Sequence, residues 1–370
     1  MASFPRASDL KKRAENLAKE LRTSGLEGVI IAPGPNLAYY TGVRAQLLKR
    51  PFLLLMEGDG DAHLLAPKLE TGPFRGTIQL TVHAWDDTEG PSRAYGELIK
   101  EIETEGRWGC EGRVPFGFLE KLLSRGLKVK PADHVLESIR EIKEPSELEL
   151  IRKSAAILSK SVLDVPQVLR EGMTERELAR FVVESALASG ADEVNPCTVQ
   201  SGARAADPHS ETTSKKIRRG ESVVLDVVSN YQGYTADITR TFVLGAGGDV
   251  EKTYRSVLAA QERAIDSANA GVETGKVDAA ARDSLKKDGL AKYFIHRTGH
   301  GLGLEVHEAP YIVAGGRERI RPGMVFTAEP GVYIAGKLGV RIEDDVAISK
   351  DGRGDVMTGT LPKDYGWWRR

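Results

Sequence analysis

Only two cysteines, Cys110 and Cys197, occur among 370 residues, and they lie far apart without Cys-x-x-Cys spacing. That scarcity excludes a disulfide framework and a thiolate zinc site, and it suits a reducing compartment. No apolar run approaches the roughly 18–20 residues needed to span a bilayer. The opening MASFPRASDLKKRAENLAKEL lacks the apolar core of a signal peptide. Formal net charge is −1, so no field of one sign points to nucleic acid or an anionic membrane. There is no internal repeat and no low-complexity tract. The expectation is a cytoplasmic chain that binds neither nucleic acid nor membrane. Its length suggests two domains.

Histidine is scarce too, yet three of the seven fall in HRTGHGLGLEVHE (296–308), where glycines surround the middle one. A packed core segment needs neither the imidazole nor the backbone freedom. Elsewhere, residues 8–24 read as an amphipathic helix stopped by Gly25. Short apolar runs follow at 28–33, 52–56, 62–67 and 77–85, with a helix near 92–104. This alternation predicts a small α/β domain over residues 1–140. A boundary falls in REIKEPSELELIRKSAAIL, where Ser146 and Glu149 form a capping-box pattern that opens a new helix. Thr174 and Glu177 repeat the pattern before a helix stopped by Gly190. Strands are expected at 222–229, 233–244, 324–334 and 339–348, and helices near 249–270 and 276–288. Residues 141–370 therefore read as an α+β domain with a largely antiparallel sheet. The final DYGWWRR carries no assignment.

The expected strands contain carboxylates where apolar residues should stand. In ESVVLDVVSNYQGYTADITRTF, Asp226 and Asp237 lie eleven residues apart around a turn at NYQG. An antiparallel hairpin centred there puts the two carboxylates opposite each other. Glu329 interrupts MVFTAEPGVYI, and Glu343 interrupts GVRIEDDVAI. One strand carboxylate is usually on a solvated face. Four, joined by His300 between glycines, are better explained by cations. Four carboxylates carry about −4, which two divalent ions neutralise. Oxygen donors with one imidazole suit Mn²⁺, Co²⁺, Fe²⁺ or Zn²⁺. Two such ions hold and acidify a water for hydrolysis.

The order Asp226, Asp237, His300, Glu329, Glu343, with intervals of 11, 63, 29 and 14, resembles the pita-bread metallopeptidases. So do the segments LDVVSNYQGYTADITRTF, GHGLGLEVHEAPYI, MVFTAEPGVYI and GVRIEDDVAI. Within that group the chain is most similar to the Xaa-Pro peptidases, prolidase and aminopeptidase P. The first half resembles them mainly through NLAYYTG (36–42). The resemblance implies a pita-bread (creatinase/aminopeptidase) α+β catalytic domain preceded by a smaller, creatinase-like α/β domain. It implies two divalent metal ions, Mn²⁺ foremost, with Co²⁺, Zn²⁺ or Fe²⁺ as alternatives. Asp226 would bind one ion, Asp237 and Glu343 both, and His300 and Glu329 the second. A hydroxide bridging the two metals would attack the Xaa-Pro bond. Glu329 would move the proton to the proline nitrogen. His209 and His307 would face the substrate and its developing oxyanion. Tyr333 and Arg341 would support the cluster. His296 has no counterpart and reads as packing or surface, as do His63, His83 and His134. One departure is visible: the family reads Asp-x-Gly at the first ligand, and this chain has Val228 in place of the glycine.

The resemblance further implies a homodimer acting on Xaa-Pro dipeptides or short peptides. A dipeptidase must grip the substrate's C-terminal carboxylate, for which Arg44 is the candidate, since Arg binds carboxylates bidentately. The balance of features favours Xaa-Pro dipeptidase. The alternative is an aminopeptidase P acting on longer peptides. Methionine aminopeptidase and a metal-free binding protein on the same fold rank lower, the latter because no ligand has been lost.

Overall fold

The computed structural model describes residues 5–208 and 210–369. It divides into two compact units, Met1–Arg140 and Glu141–Arg370. Among the described residues, no helix is long and apolar enough to cross a membrane.

The first unit runs α1 (Ala7–Thr23), β1 (Gly28–Ile31), α2 (Pro35–Thr41), β2 (Leu53–Glu57), β3 (Ala62–Pro67), β4 (Thr81–Trp85), α3 (Ser92–Glu101), β5 (Arg107–Cys110), α4 (Phe116–Leu123), β6 (Lys128–Pro131) and α5 (Asp133–Arg140). Its strands form one mixed sheet in the order β4-β3-β2-β1-β5-β6. The continuous apolar runs of β1 and β2 mark its buried centre. Ile30, Leu53, Leu55 and Leu65 pack there with Tyr95 and Leu98 of α3 and with Trp108.

The second unit contains α6 (Pro145–Leu163), α7 (Val165–Val168), α8 (Glu175–Ala188), β7 (Glu193–Ser201), β8 (Ser222–Tyr231), β9 (Tyr234–Val243), α9 (Asp249–Ser267), α10 (Thr274–Lys287), β10 (Gly299–Gly301), β11 (Glu308–Ile312), β12 (Val325–Ala328), β13 (Gly331–Ile334), β14 (Leu338–Arg341), β15 (Asp344–Ile348) and β16 (Gly354–Val356). All its strand pairings are antiparallel, in sheets ordered β7-β8-β9, β11-β10-β12-β15-β16 and β13-β14. Helix α6 lies on β8 and β9, tied by Ser154 Oγ to Ser229 Oγ at 2.7 Å and by the Tyr234 hydroxyl donating to Glu147 at 2.8 Å.

Several sequence expectations are corrected here. Helix α6 opens at Pro145, and its capping box joins Glu144 to Glu147 rather than Ser146 to Glu149. Proline at the first helical position sets that earlier start. The Thr174–Glu177 box caps α8 as expected. The 324–334 and 339–348 runs are each broken in two. The first gives β12 and β13, the second β14 and β15, and the halves join different sheets. Glu329 and Glu343 occupy the breaks, so neither is a strand-interior residue. The tail also has a place: Trp367 and Trp368 pack on Phe242 of β9, and the Trp368 indole donates to the Val243 carbonyl at 2.9 Å.

Candidate metal centre

The β8–β9 hairpin places the first two carboxylates. Its turn is the two-residue Gln232-Gly233, with φ of 48° and 88°. Positive φ at both positions matches the twist of the flanking strands, and the pairing of Tyr231 with Tyr234 follows. Asp192 accepts the Gln232 N–H at 2.6 Å and Asn230 accepts the Gly233 N–H at 2.7 Å, which holds the turn. The register is therefore two residues away from the one expected around NYQG. Asp226 pairs with Thr239, and Asp237 pairs with Val228. A shift of two preserves the face, so the carboxylates are diagonal neighbours on one side of the hairpin.

Strand β10 brings in His300, which is buried. Its Nδ1 lies 3.1 Å from the Gly301 carbonyl. A carbonyl only accepts, so Nδ1 carries the hydrogen and Nε2 presents its lone pair. Burial, then the adjacent His307, lowers the His300 pKa to about 3. The ring is neutral at physiological pH, the form in which imidazole binds metal. A side chain at Gly299 would run into the Thr327 carbonyl, and one at Gly301 into that of Ala309. These glycines thus serve the close approach of β12 and β11 to β10.

The two strand breaks supply the remaining carboxylates. Glu329 Oε1 stands 3.4 Å from His300 Nε2. Glu343 accepts the Thr239 hydroxyl at 2.6 Å. Asp237, His300 and Glu343 each offer a donor atom within 4.8 Å of the others. Burial is the main cause that raises the Glu329 pKa to about 7. Burial and neighbouring carboxylates push Asp237 and Glu343 well above the usual carboxylate range. Asp237 Oδ1 is buried without a hydrogen-bond donor. An orphaned buried carboxylate oxygen, facing other acidic groups and one imidazole lone pair, costs free energy unless a cation is present. The donor set fits a divalent metal on that observation.

Arg341 joins the cluster to its support. Its guanidinium donates to Asp226 at 2.5 Å, to the Thr239 hydroxyl at 3.1 Å and to the Tyr333 hydroxyl at 2.8 Å. Tyr333 continues the chain to His296 Nε2 at 2.9 Å, while His296 Nδ1 meets the Arg297 carbonyl at 2.7 Å. The carbonyl fixes the hydrogen on Nδ1, so the Tyr333 hydroxyl donates to Nε2. His296 was expected to be packing or surface, and it instead ends a relay that begins at Asp226. Its position four before His300 was visible in the sequence, but its partner Tyr333 lies 37 residues away and no spacing rule links them. Asp345 was also missed as a contributor: it accepts the Asp237 backbone N–H at 3.1 Å.

Asp226, Asp237, His300, Glu329, Glu343, Arg341, His296 and the exposed His307 all line one cleft of about 580 Å³ in the second unit. The His300 and His307 ring centres are 4.1 Å apart. Val228 lines the same wall. Arg44 follows α2 in the first unit and is exposed. His209 lies outside the described residues.

Residues 149–350 match metallopeptidase family M24, and residues 13–142 match the creatinase/prolidase N-terminal domain. The chain belongs to metallopeptidase family M24. Among curated relatives, a probable dipeptidase PepE of Mycobacterium tuberculosis is 38% identical over 338 residues, 89% of each chain. An Xaa-Pro dipeptidase of Pyrococcus furiosus is 36% identical over 348 residues, 93% of this chain and 97% of the relative. The crystal structure of a prolidase from Thermococcus sibiricus superposes with a TM-score of 0.89 at 37% identity, covering 95% of this chain and 97% of that one. The fold is accordingly a creatinase-type N-terminal domain followed by a pita-bread catalytic domain, and the protein is a metallopeptidase.

Proposed function

We propose that this protein is a dinuclear metal-dependent Xaa-Pro dipeptidase. The observation that carries the reading is the buried carboxylate cluster with an unpartnered Asp237 oxygen beside the lone pair of His300. Asp226, Asp237, His300, Glu329 and Glu343 would hold two divalent ions, Mn²⁺ foremost, with Co²⁺, Zn²⁺ or Fe²⁺ as alternatives. Bound there, the metal supplies Lewis acidity at the scissile carbonyl and lowers the pKa of water.

The protein's own groups do the rest. Glu329, raised to about 7 by burial, is poised to accept a proton near neutrality and to deliver it to the leaving proline nitrogen. His209 would donate to the oxyanion as it develops, and His307, on the cleft wall, would contact the substrate. Arg341 fixes Asp226, and Tyr333 and His296 fix Arg341 in turn. Preference for proline has a physical basis. Its imide nitrogen lacks an N–H, so a pocket shaped for the ring that asks for no donor there favours it. The relative named as an Xaa-Pro dipeptidase supports a substrate whose C-terminal proline carries the free carboxylate. We assign Arg44 as the anchor of that carboxylate, and we read the chain as a cytoplasmic homodimer.

The test compares proline release from Met-Pro with cleavage of Met-Pro-Gly, in Mn²⁺ and then in chelator. Chelator-sensitive cleavage of the dipeptide alone is expected. Cleavage of both at the Met-Pro bond would assign an aminopeptidase P activity. Cleavage of neither would return methionine aminopeptidase and the metal-free binding protein to consideration.

A further inference from the structure

The first unit buries two histidines against each other, well apart in sequence from the residues above. His63 stands on β3 and His83 on β4. These strands are parallel, with His63 opposite Thr81 and His83 opposite Leu65. An offset of two keeps both side chains on one face. They are only 7% and 3% exposed. Glu101, the last residue of α3, and Glu57, the last of β2, reach the same place. His63 Nδ1 lies 3.2 Å from His83 Nε2 and 3.8 Å from Glu101 Oε2. His83 Nε2 lies 3.5 Å from that same oxygen. On the far side of the His63 ring, Nε2 meets Glu57 Oε1 at 3.1 Å.

The hydrogen bookkeeping decides what these atoms offer. A carboxylate only accepts, so Glu57 fixes the His63 hydrogen on Nε2 and leaves a lone pair on Nδ1. That lone pair converges with a carboxylate oxygen and with His83 Nε2. At most one N–H is available among the three. Burial holds His83 below its ordinary pKa, which keeps the ring neutral. The three separations, 3.2, 3.5 and 3.8 Å, are close to the edges of a tetrahedron around a zinc ion. Metal–ligand bonds of about 2.0–2.2 Å require edges of roughly 3.3–3.6 Å. A carboxylate on the far nitrogen of a ligating histidine, here Glu57, is the usual companion of such sites. Glu101 is 48% exposed, which leaves an open side for entry and for a water as fourth ligand.

We propose that His63, His83 and Glu101 form a zinc-binding site in the first unit, oriented by Glu57 and separate from the peptidase metal centre. A bound ion would join the edge strand β4 to β3 and to the end of α3. Two imidazoles with one carboxylate suit zinc rather than the oxygen-preferring Mn²⁺ or Mg²⁺.

The test uses the full chain, stripped with chelator and equilibrated with Zn²⁺, with bound metal counted by elemental analysis. His63→Ala and His83→Ala are each expected to hold one zinc per chain fewer than the unaltered protein. With Co²⁺ as the probe, both should lose one set of tetrahedral visible absorption bands. Peptidase turnover at saturating Mn²⁺ should be unchanged. Should the alanine variants misfold, Glu101→Gln alters only a half-exposed rim, and it should weaken zinc at this site by at least about tenfold. Glu57→Gln should weaken it by about 10–100-fold. Equal zinc content and equal affinity across these proteins would overturn the proposal and leave the histidines as a hydrogen-bonded pair.

Discussion

Replacing Asp237 with asparagine should abolish peptidase activity and, in metal-free protein, stabilise the fold. The two effects have one cause. Asp237 is buried beside Glu343, Asp226, Asp345 and Glu329, and its Oδ1 has no donor. A buried charge without compensation costs about 3–5 kcal/mol. Asparagine keeps the volume, removes the charge and adds an amide that can donate to the neighbouring carboxylates. A net gain of about 3 kcal/mol is therefore expected, at the lower end because the amide oxygen inherits the unpartnered position. For a unit of this size that is an increase in melting temperature of about 6–12 °C.

The sign of the pH dependence follows from the raised pKa. Well below the ordinary Asp value, folded and unfolded chains are both protonated at this site, and the substitution gains nothing electrostatically. As pH rises above 3.8, the unfolded carboxyl ionises while the folded one resists. The advantage of Asp237→Asn therefore grows from pH 5 to pH 8. Scanning calorimetry of chelator-treated protein at both pH values measures it. With metal added, the order should reverse, since only the unaltered chain gains full stabilisation from binding. A variant that melts below the unaltered protein without metal would refute the reasoning, because it would mean that the protein alone satisfies this carboxylate.

Asp344→Asn should behave oppositely, although it adjoins Asp345 and Glu343. Burial opposes the Asp344 charge, but Arg240, Lys363 and Thr358 hold its carboxyl below the ordinary range, so its loss should cost about 3–5 kcal/mol in chemical denaturation. Tyr333→Phe removes the link between Arg341 and His296 and should lower kcat/KM by about tenfold with metal content unchanged; an equal loss of metal would assign the hydroxyl to metal retention instead. Metal should bind more tightly at pH 8 than at pH 6, because Glu329, Asp237 and Glu343 must give up protons to ligate, and a flat affinity profile by calorimetric titration would contradict their raised pKa values. Arg44→Ala should impair dipeptide hydrolysis more than tripeptide hydrolysis, and equal impairment would remove it as a carboxylate anchor.

What the sequence made legible was chemistry out of place. Carboxylates inside apolar runs exposed the cluster because a strand has no reason to carry them. The same runs misled on local structure. Continuous hydrophobicity across 324–334 and 339–348 hid the breaks at Glu329 and Glu343, since both halves of each run are buried in different sheets. The β8–β9 register escaped by two residues because NYQG offers several places to turn, and only the positive φ of Gln232 selects among them. His296 and Asp345 were missed because each acts through a partner distant in the chain, Tyr333 in one case and the Asp237 backbone in the other. His63 and His83 were passed over for the same reason: nothing in their spacing reveals that two parallel strands and a helix end meet there.

The hairpin β13–β14 sits between Glu329 and Glu343 like an insert with fixed ends. Gly331 pairs with Arg341, and the loop at Ala335, Gly336 and Lys337 closes it. Tyr333 and Arg341 share one face of that ribbon, so their contact depends on register and not on the loop. The tip is therefore open to variation. Added residues there would lengthen the sequence interval between the two glutamates without disturbing either, so a search for distant homologues should let that interval vary. A slip of one residue in the ribbon, by contrast, would turn Arg341 away from Asp226 while every ligand stayed in the sequence. Divergent members that keep all five proposed metal-binding positions but shift this pairing would be expected to have lost hydrolysis before losing metal.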